Sequence, residues 1–124
     1  MSLLLDTHVF LWWLRADIID SNVATRISDP SEQVFISAAS IWEAKIKQSL
    51  GKLKFEGSLI DAAQQTGFDL LSISPAHAEC AGSLPGYHRD PFDRMLIAQS
   101  ICDKLTIITH DFAFKPYDIS VIFL

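Results

Sequence analysis

The segment HRDPFDRMLIAQS at residues 88–100 sets two carboxylates, Asp90 and Asp93, at the mouth of a helix. Capping alone would explain the pair. Asp90 suits the N-cap, Pro91 the first helical position, where no amide donor is needed, and Asp93 the third, near free amides and the positive end of the helix dipole. Chemistry would require further acids arriving at the same place. Asp6, directly after the apolar run SLLL, and Asp111, after LTIITH, are two such acids, and Glu43 within SIWEAKIKQ is a third. The competing reading of Glu43 is a surface pair with Lys47, one helical turn on, worth only a few tenths of a kcal/mol. Carboxylates gathered without a counter-charge repel one another and raise their own pKa values, and a divalent cation removes that difficulty. An all-oxygen donor set, with no Cys/His pair at zinc spacing, points to Mg2+, with Mn2+ as a substitute. Such an ion can polarise a phosphodiester and activate a water for attack on phosphorus.

The elements that would carry these acids alternate along the chain. SLLL and QVFIS read as buried strands, FDLLSIS as another, and LTIITHD and ISVIFL as the last two. Between them, helical spacing marks THVFLWWLR with Thr7 as its cap, a stretch from Ser21 to Ser28, and AASIWEAKIKQSLGKL, ended by Gly51. Further helices are expected at 58–66, from Pro75 to Ala81 with Ser74 as cap, and from Pro91 to about Lys104. Strands separated by helices imply right-handed crossovers. The fold expected is α/β, a three-layer α/β/α sandwich with a mostly parallel central sheet. In such a sheet, residues that end different strands gather along one rim, where ligand sites form. Asp6 and Asp111 end strands, and the helices of Glu43 and Asp93 start near that rim. Asp6, Asp93 and Asp111 therefore have an architectural reason to meet, and Glu43, in the helix directly after QVFIS, is the fourth candidate.

Size and composition limit the alternatives. A chain of 124 residues that is 49% hydrophobic reads as a single domain, residues 1–124. The apolar start carries Asp6 and His8 and lacks a basic lead, so it reads as neither signal peptide nor membrane span, and a cytoplasmic protein is expected. The formal net charge of −5 argues against broad electrostatic binding of nucleic acid. Lys45, Lys47, Lys52 and Lys54 form a local basic run, read as a solvated face. Cys80 and Cys102 form no CxxC and read as reduced core thiols. The helical spacing of Trp12, Trp13 and Trp42 favours core or subunit-interface packing over base stacking.

Four pieces in order, LLLDTHVFLWWL, ISAASIWEAKIKQSLGKL, HRDPFDRMLIAQS and LTIITHDFAF, give the chain a resemblance to the PIN-domain ribonucleases, and more closely to the VapC-type toxins of prokaryotic toxin–antitoxin pairs. The resemblance spans nearly the whole chain. It implies a PIN-like fold and a magnesium-dependent endoribonuclease acting through a metal-activated water. It implies Asp6 and Asp93 as metal ligands, Glu43 binding metal directly or through water, and Asp111 completing the cluster. Thr7 and Thr109 would support the site by hydrogen bonding, and Asp90 recurs in the branch with HRDPFDR, where its main task is capping. His88, Arg89 and Arg94 are candidates for RNA contact, with loop hydrogen bonding the alternative for His88 and Arg89. A homodimer and a cognate antitoxin, whose tail lies across the acidic groove, are the partners implied. Among rivals, a receiver-like phosphoacceptor domain wants an Asp after a central strand, where FDLLSIS ends in serine. A phosphate-ester hydrolase wants an acid two residues after Asp6, where His8 stands. A catalytically silent PIN-fold module that binds RNA or a partner is the remaining alternative.

Overall fold

A computed structural model describes residues 2–17 and 19–124. Five strands, β1 (Ser2–Leu5), β2 (Gln33–Ser37), β3 (Asp69–Leu71), β4 (Thr106–Thr109) and β5 (Val121–Phe123), form one sheet in the order β3-β2-β1-β4-β5. Every pairing is parallel. Six α-helices connect them: α1 (Thr7–Leu14), α2 (Ser21–Ser28), α3 (Ala38–Ser49), α4 (Leu59–Gln65), α5 (Pro75–Ser83) and α6 (Pro91–Asp103). A short 3-10 turn occupies Phe112–Phe114.

Successive side chains of a strand point to opposite faces, and β1 shows the result directly. Leu3 and Leu5 pack with Val34, Ile36 and Ile108 against Val9 and Phe10 of α1, Val23 and Ile27 of α2, Ala44 of α3 and Ala63 of α4. Leu4 and Ile107 pack on the other face against Leu96 and Ile97 of α6, with Phe114 and Tyr117. Two apolar cores on opposite faces of an all-parallel sheet make the three-layer sandwich.

Local chemistry sets the boundaries. Ser37 ends β2 and caps α3 at once, its Oγ accepting from the Ala39 N–H at 3.0 Å. That early stop also shortens β3. Its pairing with β2 runs from Phe35↔Asp69 to Ser37↔Leu71, so FDLLSIS has no partner strand beyond Leu71, and Ser74 instead caps α5. Gly51, at φ +73°, turns the chain out of α3, a left-handed conformation that glycine adopts without a Cβ penalty.

Several expectations change. The cap of α1 is Asp6, not Thr7; Asp6 Oδ1 accepts from the Val9 N–H at 2.8 Å, while the Thr7 hydroxyl donates to Ser40 Oγ at 3.0 Å. The cysteines are free but not core residues. Cys80 is half-buried, Cys102 exposed, and their thiols meet where α5 packs on α6. Trp12 and Trp13 pack against the core, whereas Trp42 is 62% exposed and meets the Phe92 ring edge-on at 5.2 Å. No helix among the described residues is long and apolar enough to cross a membrane.

Candidate metal centre

The parallel strands β1, β2 and β4 end side by side, and the residues that follow them build the site. Asp6 leaves β1 with its own N–H still donating to Ile108 O of β4 at 3.0 Å, which holds it at the sheet edge and leaves it 4% exposed. Its Oδ2 accepts from the Thr109 hydroxyl, and Thr109 Oγ1 accepts in turn from the Asp111 N–H at 3.0 Å. Thr109 thus couples the acids after two neighbouring strands. Asp111 caps the 3-10 turn through Ala113 N–H at 2.9 Å.

From the helices come Glu43 and Asp93. Glu43 lies on α3 at 9% exposure, with Lys47 Nζ 3.3 Å from its Oε2; the surface pair expected for these residues forms, but around a buried carboxylate. Lys47 also reaches His8 Nε2 at 3.3 Å. Asp90 is the cap of α6, its Oδ1 accepting from the N–H groups of Phe92 at 2.8 Å and Asp93 at 3.1 Å. That duty leaves the Asp93 carboxylate to the cluster.

Electrostatics shows the convergence. The Asp93 carboxyl is pushed up to about 8, first by burial and then by repulsion from Asp90, Glu43, Asp6 and Asp111. Asp6 is also raised, burial outweighing the hydrogen bonds from Thr109 and Val9 that favour its charged form.

The tightest group in the cluster was not the expected one. His88 Nε2 lies 2.8 Å from Asp93 Oδ2 and 3.7 Å from Asp111 Oδ2, with ligand atoms of all three residues within 4.8 Å of one another. A loop histidine before a helix gives no signal in sequence that it will turn into an acid cluster. Arg89, its neighbour, is exposed. Arg94 departs from the expected role at RNA: Nη1 donates to the carbonyls of Pro85 and His88 and Nη2 to those of Ala81 and Leu84, at 2.8–3.1 Å. Its fork is spent on folding the loop that carries His88. Tyr117, which the sequence did not single out, joins it by accepting from the His88 N–H at 2.9 Å and donating to Pro85 O at 2.7 Å.

The donor chemistry fits a hard divalent cation. Burial and the charges of neighbouring acids both disfavour ionised carboxylates here; a divalent ion relieves both, and carboxylate oxygens are its preferred ligands. The arrangement is that of an all-parallel α/β protein with an acidic cluster at the carboxyl ends of its central strands. The chain belongs to the PIN domain family, whose profile matches residues 3–119. Its fold is similar to VapBC2 from Rickettsia felis bound to a DNA fragment from their promoter, with a TM-score of 0.71, 14% identity, and 98% of each chain covered. It is also similar to FitAcB from Neisseria gonorrhoeae, with a TM-score of 0.68, 23% identity, and 97% of this chain and 96% of that chain covered. A toxin–antitoxin complex from Klebsiella pneumoniae gives a TM-score of 0.67 at 20% identity, covering 97% of this chain and 95% of that chain. No curated protein matches the sequence.

Proposed function

We propose that this PIN domain is a magnesium-dependent endoribonuclease and the toxin of a toxin–antitoxin pair, with residues 1–124 forming the nuclease domain. The observation that carries the reading is the convergence of Asp6, Glu43, Asp93 and Asp111, where burial and then repulsion from the neighbouring acids push the Asp93 carboxyl up to about 8. Asp6 and Asp93 would hold the ion, Mg2+ or Mn2+, with Glu43 and Asp111 completing the donor set. When bound, the ion neutralises the acids and supplies Lewis acidity to a phosphodiester and to the water that hydrolyses it. Thr109 holds Asp6 and Asp111 in register, and Thr7 braces α1 against α3 through Ser40. Glu43, paired with Lys47, would help to orient the attacking water. Arg89, exposed in the loop before α6, is the remaining candidate for contact with substrate phosphate.

Protein partners are supported by a second feature. An apolar cleft between α3, α4 and β3, about 370 Å³, is lined by Ala38, Ile41, Trp42, Ile60 and Leu70, and Trp42, Ile60 and Leu70 are exposed. Contiguous exposed apolar surface favours association, here with a cognate antitoxin or a second copy in a homodimer. The acidic cluster itself suits a cationic side chain from an antitoxin.

The test is cleavage of a mixed, structured RNA pool by purified protein in Mg2+ or Mn2+, beside EDTA and Asp6→Asn controls. Metal-dependent cuts that the substitution abolishes support the reading. A folded, metal-binding protein that cuts nothing would turn it toward a catalytically silent binding module.

A further inference from the structure

The acid cluster has two unlike flanks. On one, where α3 meets α6, Trp42 stands edge-on to Phe92, each the residue before an acid of the cluster, and the exposed surface is apolar. On the other, where α1 meets α3 and β4, it is aromatic and polar. His8 lies two residues after Asp6 and His110 directly before Asp111, and both are exposed. Trp12, one helical turn after His8, contacts both, its ring 6.3 Å from that of His8 and 5.2 Å from that of His110, the latter at 70°.

This row of rings is held by the same bonds that place the acids. Asp6 caps α1 through the Val9 N–H at 2.8 Å, which fixes the turn carrying His8. Thr109 Oγ1 accepts from the Asp111 N–H at 3.0 Å, which fixes the chain on both sides of His110. Trp12 packs against the core, so it props the two imidazoles rather than offering its own face. Lys47 ties the row to the cluster, its Nζ 3.3 Å from His8 Nε2 and 3.3 Å from Glu43 Oε2. A ligand that spans the cluster and this flank meets carboxylates first, then exposed flat rings with polar edges.

Single-stranded RNA matches that order. With its backbone phosphate at the acids and their ion, an unpaired base alongside needs a π-face to stack on, and imidazole supplies one together with nitrogen atoms at its edge. At a net charge of −5 the chain cannot hold RNA mainly by neutralising phosphates, so the bases must supply much of the grip. Trp42, Ile60 and Leu70 on the opposite flank present contiguous apolar surface, which favours a protein partner there instead.

We propose that His8 and His110, propped by Trp12, form the platform on which unpaired bases of the RNA strand stack beside the scissile phosphate. The inference rests on the proposed nuclease function and adds to it the residues that seat the bases.

The probe is an unstructured RNA oligonucleotide with 2-aminopurine in place of adenine, whose fluorescence is quenched when the base stacks. Binding is followed with Mg2+ in Asp93→Asn protein, so that the probe stays whole. Affinity should fall about tenfold or more, with loss of quenching, when His8→Ala or His110→Ala is added, the size expected for one base–aromatic stack. Both positions are exposed, so these changes leave the core intact. His110→Tyr, which keeps a flat ring, should restore affinity to within about threefold. Unchanged affinity in both alanine variants would overturn the proposal. So would equal loss in His110→Tyr, because the ring face would then not be what the RNA meets. A loss in Trp42→Ala that both histidine variants escape would overturn it by moving the bases to the apolar flank. Full RNA affinity in His110→Ala with an altered oligomeric state in sedimentation would overturn it in favour of a protein contact. Cleavage by protein with its native acids separates the two readings. Quenching that needs both histidines in a protein that cuts no RNA would strike the nuclease reading alone, whereas unchanged cut sites and rates in both alanine variants would strike the platform alone.

Discussion

Replacing Asp93 by asparagine should stabilise the metal-free protein, and by more as the pH rises. Asp93 is pushed up to about 8 from an ordinary 3.8 by burial and by the acids around it. Between those values the folded protein keeps a proton that the unfolded chain has released. The sign follows: with more protons bound in the folded state, stability is highest below the unfolded pKa and is lost as pH rises toward the folded one, by up to about 1.4 kcal/mol per unit. Asparagine has no proton to release, so the variant lacks this slope. From about pH 5 to about pH 7 the gap between variant and wild type should widen by about 3 kcal/mol. Urea unfolding in EDTA at several pH values measures it. Asp6, also raised, leaves a residual slope in both proteins, so the difference between the curves isolates Asp93. Saturating Mg2+ should reverse the order by stabilising wild type alone. Parallel curves with a constant gap would refute the reasoning, because they would mean a solvated carboxylate that titrates normally.

The same proton opposes the cation, so apparent Mg2+ affinity should rise about tenfold from pH 6 to pH 7, measurable by calorimetry as binding that releases about one proton. Asp90→Asn should keep the cap of α6 and most RNA cleavage while Asp93→Asn abolishes it, and equal loss in a cleavage assay would sink that division of labour. Arg94→Ala should destabilise the protein by about 2–3 kcal/mol in urea unfolding, because it frees carbonyls of the loop that Arg94 now holds; an unchanged midpoint would show that the loop folds without it.

Much of the architecture is legible along the chain because each element declares its own buried face. The runs SLLL and TIIT carry adjacent apolar residues that are buried on both faces, as strands covered on both sides need, and α5 and α6 carry their caps in Ser74 and Asp90. The rim argument places Asp6 and Asp111 after neighbouring strands, and the structure sets both near Asp93. Periodicity says which side of an element is apolar, not what lies opposite it. Trp42 shares the helical spacing of a core residue yet stands in solvent, because α3 is rotated so that Ala39, Glu43 and Ala44 face inward instead. Competition between neighbours is also decided in three dimensions: Asp6, not Thr7, caps α1 because Thr7 has Ser40 to bond.

The sequence by itself determined the strand–helix alternation, the caps of α5 and α6 and the set of acids available, since these depend on residues near one another in the chain. Only the tertiary structure decided that His88 turns into the acids and that Arg94 binds carbonyls rather than facing outward. Both follow from a turn-rich loop with no periodicity to read, whose path is fixed by Tyr117 and Phe114 from the far end of the chain.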